Sequence, residues 1–183
     1  MQRIAIVGAA GSGKTTLGEQ LSARLGIPHV DLDALHWEAN WQMVEREEFR
    51  RRVSAALSGE VWSAGGNYSK ARDITWGRAD TLVWLDYPLP LVFWRLFRRT
   101  LRRVITQEEL WNGNRETLRG AFLSRDSLFM WLLQSYPRQK RAYPQLVQQA
   151  EYTHLDFVRL RSPTETREWV EALRREGSTP GKI

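Results

Sequence analysis

The sequence predicts a three-layer α/β/α fold, in which a five-stranded parallel sheet lies between two layers of helices. Five short aliphatic segments alternate with longer segments whose apolar residues recur at helical spacing. This alternation is typical of parallel strands joined by crossover helices. At 183 residues, the chain is long enough to form one domain with a substantial core.

The strands are predicted where short aliphatic runs end at glycine, proline or acidic residues. In chain order, the five segments are RIAIVG (3–8), PHVDLDAL (28–35), EVWSAGGNY (60–68), DTLVWLDYP (80–88) and YTHLDFVRL (152–160). Because helical segments separate them, we expect all five to run parallel in one sheet.

The helices are predicted from their spacing and from their start and stop signals. They cover 14–25, 45–58, about 89–104, parts of about 115–149, and the segment from 162 onward. Gly26 is a natural C-cap of the first helix, and Gly59 ends the second. The last helix opens with SPTE, in which Ser162 is the N-cap and Glu165 closes a capping box.

The composition excludes several classes of protein. The chain has no cysteine, which excludes a disulfide framework and a thiolate metal site. No apolar run has the length of a membrane span, and MQRIAIV at the N-terminus resembles a strand rather than a signal peptide. We expect a cytoplasmic protein with one domain over 1–177 and a flexible tail over 178–183. The net charge is +6 and most cations are arginine, a residue whose planar head group suits phosphate.

The segment IVGAAGSGKTTLGEQL (6–21) contains the pattern G-x-x-x-x-G-K-[ST] of a P-loop. Its glycines let backbone N–H groups converge on an anion, and the following helix points its positive end at the same place. A glycine-rich turn that binds nothing is the alternative, but the strand before the loop and the helix after it favour phosphate binding. We expect the loop to bind ATP with Mg²⁺, with Lys14 on the outer phosphates and Thr15 as a ligand of Mg²⁺. The residues expected to bind the nucleotide are Gly8, Gly11, Ser12, Gly13, Lys14, Thr15 and Thr16.

The chain resembles the small P-loop kinases, such as adenylate kinase and shikimate kinase, over most of residues 1–170. The resemblance rests on the P-loop, on VDLDAL, on GGNY after the third strand and on an arginine-rich helix after WLDYP. It is greatest to the adenylate-kinase-like group called topology modulation protein, which has similar LDxLxWxxxW, GNY, WLDxP and WNGNRE elements. The matching segments are Leu32 to Trp41, Gly66 to Tyr68, Trp84 to Pro88 and Trp111 to Glu116. The resemblance implies an acceptor-binding region over about 33–75 and a helical lid over about 104–125.

Asp31 and Asp33 are the second group of candidate site residues. Two positions apart on a strand, they share one face, and the carboxyl end of a parallel strand faces the ligand crevice. Two such carboxylates repel each other unless a cation or a hydroxyl group lies between them. The resemblance implies that Asp31 helps to hold Mg²⁺ and that Asp33 is a catalytic residue that binds the acceptor. A helix N-cap is the alternative for either residue.

The third strand departs from the resembled kinases at Gly65, where an aspartate is common. Either Asp31 and Asp33 serve the metal alone, or the chemistry is weaker than in the relatives. Asn67 and Tyr68 are candidates to bind the acceptor, although a plain turn would look the same. Asp86 resembles a Walker B acid, but the expected strand order separates it from the P-loop, so we favour a structural or outer-shell role.

An arginine stripe is the third signal. Five arginines fall on one face of a helix, at Arg95, Arg98, Arg99, Arg102 and Arg103. No acid lies within the stripe, so we expect an anionic ligand to offset the repulsion, with pairing to acids elsewhere as the alternative. The opposite side is expected to pack on the sheet through Phe93, Phe97, Leu101 and Val104.

The resemblance implies catalytic roles for arginines of this helix and of the lid, because phosphoryl transfer spreads charge over the phosphate oxygens. Arg99 and Arg103 are the first candidates, Arg95 is the next, and Arg115 and Arg119 are candidates in the lid. Arg161, directly after the fifth strand, is a further candidate to bind the nucleotide.

Two functions fit these patterns. The first is a Mg²⁺-dependent kinase that transfers the γ-phosphoryl group of ATP to a nucleotide or another hydroxyl compound. The second is a nucleotide-dependent regulatory protein that associates with nucleic acid through the arginine stripe. The kinase is favoured because the acids lie near the P-loop and the arginines lie where a lid belongs. Trp37 and Trp41 are candidates to stack on the acceptor, although core packing is the commoner role. We expect a monomer or homodimer with no membrane partner.

Overall fold

Five strands and seven α-helices alternate along the residues that the computed structural model describes, which are 1–117, 120 and 127–176. The strands are β1 (Arg3–Gly8), β2 (His29–Asp31), β3 (Trp62–Gly65), β4 (Thr81–Leu85) and β5 (Asp156–Leu160). The helices are α1 (Lys14–Leu25), α2 (Leu32–His36), α3 (Arg46–Ala56), α4 (Arg72–Arg78), α5 (Leu89–Thr106), α6 (Leu128–Leu146) and α7 (Pro163–Glu176). The tail over 178–183, Arg119 and most of lid residues 118–126 lie outside the described residues.

The five strands form one parallel sheet in the order β2-β3-β1-β4-β5, which confirms the predicted fold class. β1 is central and pairs with β3 on one side and with β4 on the other. Gly8 is in register with Leu85 at the end of β4. The expected separation of Asp86 from the P-loop is therefore wrong, because β4 is a direct neighbour of the P-loop strand.

Side chains of β1 alternate between two apolar clusters, one on each face of the sheet, as expected for a strand buried on both sides. Ile4 and Ile6 belong to the cluster that includes α1, α5, α7 and the start of α6. Ala5 and Val7 belong to the cluster that includes α3, α4 and Tyr143 near the end of α6. These two clusters are the cores of the predicted three-layer arrangement.

Helix α5 packs on the sheet mainly through a face different from the predicted one, although Phe97 of the predicted face is partly buried against the core. Its fully buried residues are Val92, Leu96 and Thr100, whereas Phe93 is 39% exposed and Leu101 is 37% exposed. The buried face is adjacent to the arginine stripe rather than opposite to it. This orientation brings the start of α5 against the P-loop and directs arginines along the side of the site.

Two predicted elements are shorter than expected. β2 ends at Asp31, because the chain turns there into α2. Within the described part of the predicted helical region over about 115–149, the α-helix covers Leu128–Leu146. No helix among residues 1–117, 120 and 127–176 is both long enough and apolar enough to cross a bilayer.

Candidate active site

The turn after β1 forms the P-loop. Gly8, Gly11 and Gly13 have φ values of 150°, 81° and 97°, which glycine adopts far more readily than other residues. A Cβ atom at Gly8 would lie 2.7 Å from the Leu85 carbonyl oxygen, and one at Gly11 would lie 2.4 Å from the Val92 carbonyl oxygen. The loop is therefore held closely against the end of β4 and the start of α5.

Lys14 and Ser12 supply polar groups inside this loop. The Lys14 ammonium donates hydrogen bonds to the carbonyl oxygens of Gly8 at 2.9 Å and Ala9 at 3.2 Å. The Ser12 hydroxyl is buried without a hydrogen-bond partner among the residues that the structure describes. An unpartnered buried hydroxyl beside a lysine fits a loop whose partner is an anion.

Both acids and one arginine converge on Lys14. Burial lowers the pKa of Lys14, the negative charge of Asp33 opposes that effect, Arg99 lowers the pKa further, and Asp31 raises it. All four groups line the same cleft, so the fold brings together residues from three separate parts of the sequence.

Asp31 and Asp33 reach this position by a route other than the predicted strand alternation. Asp31 is the N-cap of α2, and its Oδ1 accepts a hydrogen bond from the Asp33 backbone N–H at 3.0 Å. The N-cap alternative is therefore confirmed for Asp31, and the shared strand face is wrong because Asp33 lies on α2. Burial raises the pKa of Asp31, and the neighbouring Asp33 raises it further. Two close carboxylates of this kind favour a bound cation.

Gly65, at the end of β3, lies between two neighbouring strands. It is in register with Asp31 of β2 on one side and with Ile6 of β1 on the other. A Cβ atom at Gly65 would lie 3.3 Å from His29 Cε1 and 3.7 Å from the Lys14 Cβ, so a side chain here would contact both residues. Asp31 provides a carboxylate from the position on β2 that is in register with Gly65.

Tyr68 and Asn67 follow β3 and have different partners. The Tyr68 hydroxyl donates a hydrogen bond to Oδ1 of Asp33, and burial together with the charge of Asp33 raises the pKa of Tyr68. Tyr68 therefore orients the carboxylate predicted to bind the acceptor. Asn67 instead bonds to the backbone of Gly8, at 2.7 and 3.1 Å, so its contacts are with the P-loop.

Asp86 has the structural role that the sequence favoured. Its carboxylate is 2.7 Å from Lys140 Nζ and 2.7 Å from Arg159 Nη2, and its side chain is only 2% exposed. Both cations also lie over the Trp84 ring. The carboxylate is thus neutralised by α6 and β5 and anchors both elements to the end of β4.

The arginine stripe divides into paired and unpaired members. Arg103 is 3.2 Å from a carboxylate oxygen of Glu116 and 3.4 Å from one of Glu108, and Arg102 is 3.3 Å from Glu108. Acids of the following loop therefore offset part of the charge, so the alternative of pairing elsewhere applies to these two arginines. Arg115 makes an exposed contact of 3.6 Å with Glu109.

Arg99 has no carboxylate within 4.0 Å in the part of the chain that the structure describes. It lines the cleft over the P-loop and is exposed to solvent there, and partial desolvation by the cleft together with the charge of Arg103 lowers its pKa. Arg95 lies close to the P-loop, because a Cβ atom at Gly13 would be 3.9 Å from its Nη1. These two arginines remain available to an anionic ligand.

The WNGNRE segment (111–116) and the turn at 37–41, to which the sequence assigned no definite chemical role, are in contact with each other. The Asn114 amide donates to the Glu38 carbonyl oxygen at 2.8 Å, and its Oδ1 accepts from the Trp41 N–H at 2.8 Å. Asn112 donates to the Trp37 carbonyl oxygen at 2.5 Å. The WNGNRE segment is thereby fixed against the turn at 37–41, beside the acids. Sequence reasoning did not predict this contact, because neither segment has a spacing that implies the other.

The tryptophans of these segments form an aromatic corner. Trp37 and Trp41 meet edge to face with ring centroids 5.6 Å apart, and Trp41 and Trp111 do so at 6.4 Å. Asn40 and Trp41 both have positive φ, at 60° and 57°, a conformation that is unusual for a bulky residue and is here held by the Asn114 contact. All three rings line the cleft.

The cleft over the P-loop has a volume of about 2090 Å³. The predicted site residues along its walls are Gly11, Ser12, Gly13, Lys14, Thr15, Thr16, Asp31, Asp33, Arg99, Arg103 and Arg115. Gly8 lies at the base of the loop, next to Lys14 Nζ. His36 and Lys70 also line the cleft, and their side chains meet at 3.1 Å. Sequence reasoning missed Lys70, which carries no motif.

Arg161 is located differently from the other predicted residues. It is not among the cleft-lining residues, whereas Arg167 of α7 is. The backbone N–H of Arg161 donates to a Glu165 carboxylate oxygen at 2.7 Å, and Glu165 N–H donates to Ser162 Oγ at 3.1 Å. Ser162 is thus confirmed as the N-cap, whereas Glu165 accepts from the residue before the N-cap rather than closing the predicted capping box on Ser162 N–H. Nucleotide binding by Arg161 stays a prediction.

The shikimate kinase family model matches residues 10–132 of this chain. The chain belongs to the shikimate kinase family. The matched segment begins inside the P-loop, contains Lys14, both acids and Arg99, and ends in α6. The predicted membership of the small P-loop kinases is confirmed.

Individual relatives agree with this assignment. The shikimate kinase of Microcystis aeruginosa is 29% identical over 119 residues, which cover 57% of this chain and 63% of that protein. The chain is thus matched to less than two thirds of that relative's length. The structure of the shikimate kinase from Bacteroides thetaiotaomicron has a TM-score of 0.55 at 20% identity, covering 97% of this chain and 99% of that chain. A gluconokinase from Sinorhizobium meliloti has a TM-score of 0.52 at 16% identity, covering 99% and 98%. Both structures share the fold.

Proposed function

We propose that this protein is a cytoplasmic, Mg²⁺-dependent kinase that transfers the γ-phosphoryl group of ATP to a hydroxyl group of a small acceptor. The observation that carries the proposal is that Lys14, Asp33 and Arg99 line one cleft over the P-loop. A lysine and an unpaired arginine there can bind a triphosphate, and a carboxylate beside them can bind a hydroxyl group. Family membership supports the same activity.

The transfer step assigns one role to each of these groups. The acceptor oxygen forms a bond to the γ-phosphorus while the bond between that phosphorus and the β,γ-bridging oxygen breaks, and ADP leaves. Asp33 accepts the hydrogen bond, and then the proton, of the attacking hydroxyl group. Tyr68 holds one Asp33 oxygen, which leaves the other for the acceptor. Arg99 and Lys14 stabilise the charge on the transferred group.

The residues present fit a magnesium ion. Thr15 offers a hydroxyl group at the start of α1, and Asp31 offers a carboxylate beside the like charge of Asp33. No cluster of three or more acidic, histidine or cysteine ligands occurs among residues 1–117, 120 and 127–176, which agrees with an ion bound by few side chains and by substrate phosphates. When bound, Mg²⁺ neutralises phosphate charge and orients the triphosphate.

The pairing of the arginines supports the kinase rather than a protein that binds nucleic acid. A continuous unpaired stripe would favour a phosphate backbone, but Arg102 and Arg103 already contact glutamates. We infer that Arg99 contacts the transferred phosphoryl group and that Arg103 holds the loop containing Glu108 and Glu116. The predicted catalytic role of Arg115 rests on its place in the cleft wall.

The acceptor is proposed to bind between Asp33 and the aromatic corner of Trp37, Trp41 and Trp111. Tyr68 and Lys70 line the same region, so both hydrogen bonding and an anionic substituent can be accommodated. A nucleotide and another hydroxyl compound are both compatible with this lining. A thermal-shift screen of nucleosides, nucleotides, sugars and hydroxy acids, with Mg²⁺ and a non-hydrolysable ATP analogue, would identify the class.

Lys14→Ala tests the nucleotide site. The variant removes the cation at the base of the cleft, so we expect MgATP affinity measured by calorimetry to fall by about 10²-fold or more, as for loss of a charge-assisted contact to a polyanion. Arg46→Ala is the control, because Arg46 is exposed (68% of its side chain) and lies on α3. Equal ATP affinity in wild type and Lys14→Ala would refute the proposed nucleotide site.

A further inference from the structure

Asn67 lies at the point where the P-loop strand loses one of its neighbours. β3 pairs with β1 up to Gly65 opposite Ile6, and the Gly66 N–H donates to the Ile6 carbonyl oxygen at 3.1 Å. Gly8 is two residues further along β1, so its N–H and C=O point toward the same side as those of Ile6. Beyond Gly66, no β3 backbone pairs with Gly8 on that side within the described residues.

The Asn67 side chain replaces the missing strand. Its Oδ1 accepts a hydrogen bond from Gly8 N–H at 3.1 Å, and its Nδ2 donates to the Gly8 carbonyl oxygen at 2.7 Å. One carboxamide thus satisfies both backbone groups of the residue, as a paired peptide group of a neighbouring strand would do. The amide orientation follows from its partners, because an N–H can only donate and a carbonyl can only accept.

Asn67 is itself held in place by the far end of α6. The Tyr143 hydroxyl donates to Asn67 Oδ1 at 3.2 Å. Tyr143 is only 5% exposed, and its ring lies edge to face with Trp76 at 5.7 Å and with Trp84 at 5.4 Å. The carboxamide is therefore fixed by a rigid part of the core rather than by a surface loop.

The Gly8 carbonyl oxygen connects Asn67 to Lys14. This oxygen accepts hydrogen bonds both from Asn67 Nδ2 and from Lys14 Nζ, at 2.7 and 2.9 Å. With φ at 150°, Gly8 has a conformation that needs support from its surroundings. When Lys14 turns to a phosphate group, Asn67 still donates to the Gly8 carbonyl oxygen, so the loop keeps its shape and no buried acceptor is left unpaired.

We propose that Asn67 is a positioning residue for nucleotide binding, which acts by holding both backbone groups of Gly8 and thereby the start of the P-loop. This inference rests on the proposed function, because it assumes that the loop binds the phosphates of ATP. It assigns Asn67 to the nucleotide side of the site, and Tyr68, the next residue, to the acceptor side through Asp33.

The test compares Asn67→Ala with Asp80→Ala. Asp80 accepts backbone hydrogen bonds from Gln2 N–H at 2.8 Å and Arg3 N–H at 2.9 Å, so it supports the opposite end of the same strand, away from the cleft. Each variant removes two side-chain hydrogen bonds to the backbone at one end of β1, which for Asp80 are those to Arg3 and to the preceding Gln2. We expect MgATP affinity by calorimetry to fall by about tenfold or more in Asn67→Ala, as for the loss of two hydrogen bonds, and to be unchanged in Asp80→Ala.

Two further measurements separate positioning from general stability. Hydrogen exchange of the Gly8 amide, followed by NMR, is expected to accelerate in Asn67→Ala and to stay slow in Asp80→Ala. Asn67→Asp keeps the acceptor for Gly8 N–H but places an oxygen against the Gly8 carbonyl oxygen, so we expect it to weaken MgATP binding as well. This variant also replaces Asn67→Ala if the alanine protein does not fold.

The outcomes are distinct. If wild type binds MgATP and the two Asn67 variants bind it equally well, the inference is refuted while the proposed function stands. Equal losses of affinity in Asn67→Ala and Asp80→Ala would also refute it, because they would indicate a general effect on β1. If the wild-type protein does not bind MgATP, the proposed function itself is wrong.

Discussion

Arg99 and Arg103 lie one turn apart on α5, yet the structure predicts opposite consequences for their removal. Arg99 has no ion-pair partner among the described residues and faces Lys14 in the cleft. In Arg99→Ala we expect turnover to fall by about 10³-fold, the effect typical of an arginine that stabilises a transferred phosphoryl group. ATP affinity is expected to change much less, because Lys14 and the loop amides still hold the nucleotide. Thermal stability is expected to be retained, because the Arg99 side chain is exposed in the cleft and its removal relieves the repulsion with Arg103.

Arg103→Ala is expected to act on stability. The side chains of Arg103 and Glu116 are 16% and 12% exposed, so the pair is largely removed from water. One oxygen of Glu116 already has no hydrogen-bond partner among the described residues, and the variant would leave the buried carboxylate without its cation. We expect a loss of about 2–3 kcal/mol, below the range for a fully buried pair. For a domain of this size that corresponds to a decrease in Tm of about 5–10 °C.

The assay is a steady-state measurement of kcat and of KM for ATP, together with calorimetric unfolding, on each variant. Arg102→Ala is the matched control, because Arg102 contacts the same Glu108 but its side chain is 75% exposed. We expect it to change neither property strongly, as is usual for exposed ion pairs. The reasoning would be refuted if Arg103→Ala kept its Tm and lost turnover by as much as Arg99→Ala. That result would return Arg103 to the catalytic role implied by the family resemblance.

Two further predictions concern the acceptor side of the site. Asp33→Asn keeps an oxygen that can accept the Tyr68 hydrogen bond but loses the catalytic base. We therefore expect ATP affinity within about twofold of wild type and turnover reduced by about 10²-fold or more. Retained turnover would exclude Asp33 as the base. Burial and the nearby charge of Lys70 lower the pKa of His36, with Asp33 opposing them in part. The unfolded chain therefore binds a proton more readily than the folded protein, so stability contributed by neutral His36 is lost as the pH falls below about 6.5. Urea unfolding between about pH 5 and 7.5 should show the free energy of unfolding falling as the pH falls, both in wild type and in the control His154→Gln, because His154 is exposed. In His36→Phe we expect the free energy of unfolding to depend less on pH. An unchanged pH dependence in His36→Phe would contradict the assignment.

The predicted elements agree with the structure where one local pattern controls the backbone. The strand β1 and the start of α1 follow from an aliphatic run, a glycine turn and a helical spacing that are contiguous in sequence. The end of β2 was predicted less well, because Asp31 can either continue the strand or cap the helix α2. Sequence spacing alone cannot decide that competition, since it depends on whether Leu32 and His36 find a buried place as a helix, which they do.

The burial of α5 shows the same limit. The helix carries apolar residues on more than one side, so its spacing is compatible with packing through Phe93 and Leu101 or through Val92 and Leu96. The second arrangement is realised, because the close approach of Gly11 to the Val92 carbonyl oxygen brings this face against the P-loop. A pattern within one helix does not contain that information.

The sequence by itself determined the class of the sheet, the P-loop and the residue types available for phosphoryl transfer. Contiguous residues set these features, through backbone geometry and glycine conformation that need no distant partner. Only the tertiary structure decided which of those residues are free to act. Asn67 is bound to Gly8, 59 residues away, Asp86 is neutralised by Arg159, 73 residues away, and Arg103 is held by Glu116 while Arg99 is not. The physical reason is that charges and hydrogen-bonding groups are assigned by which chain segments meet at the carboxyl edge of the sheet. Strand order and helix orientation determine those meetings, and both follow from packing of the whole core.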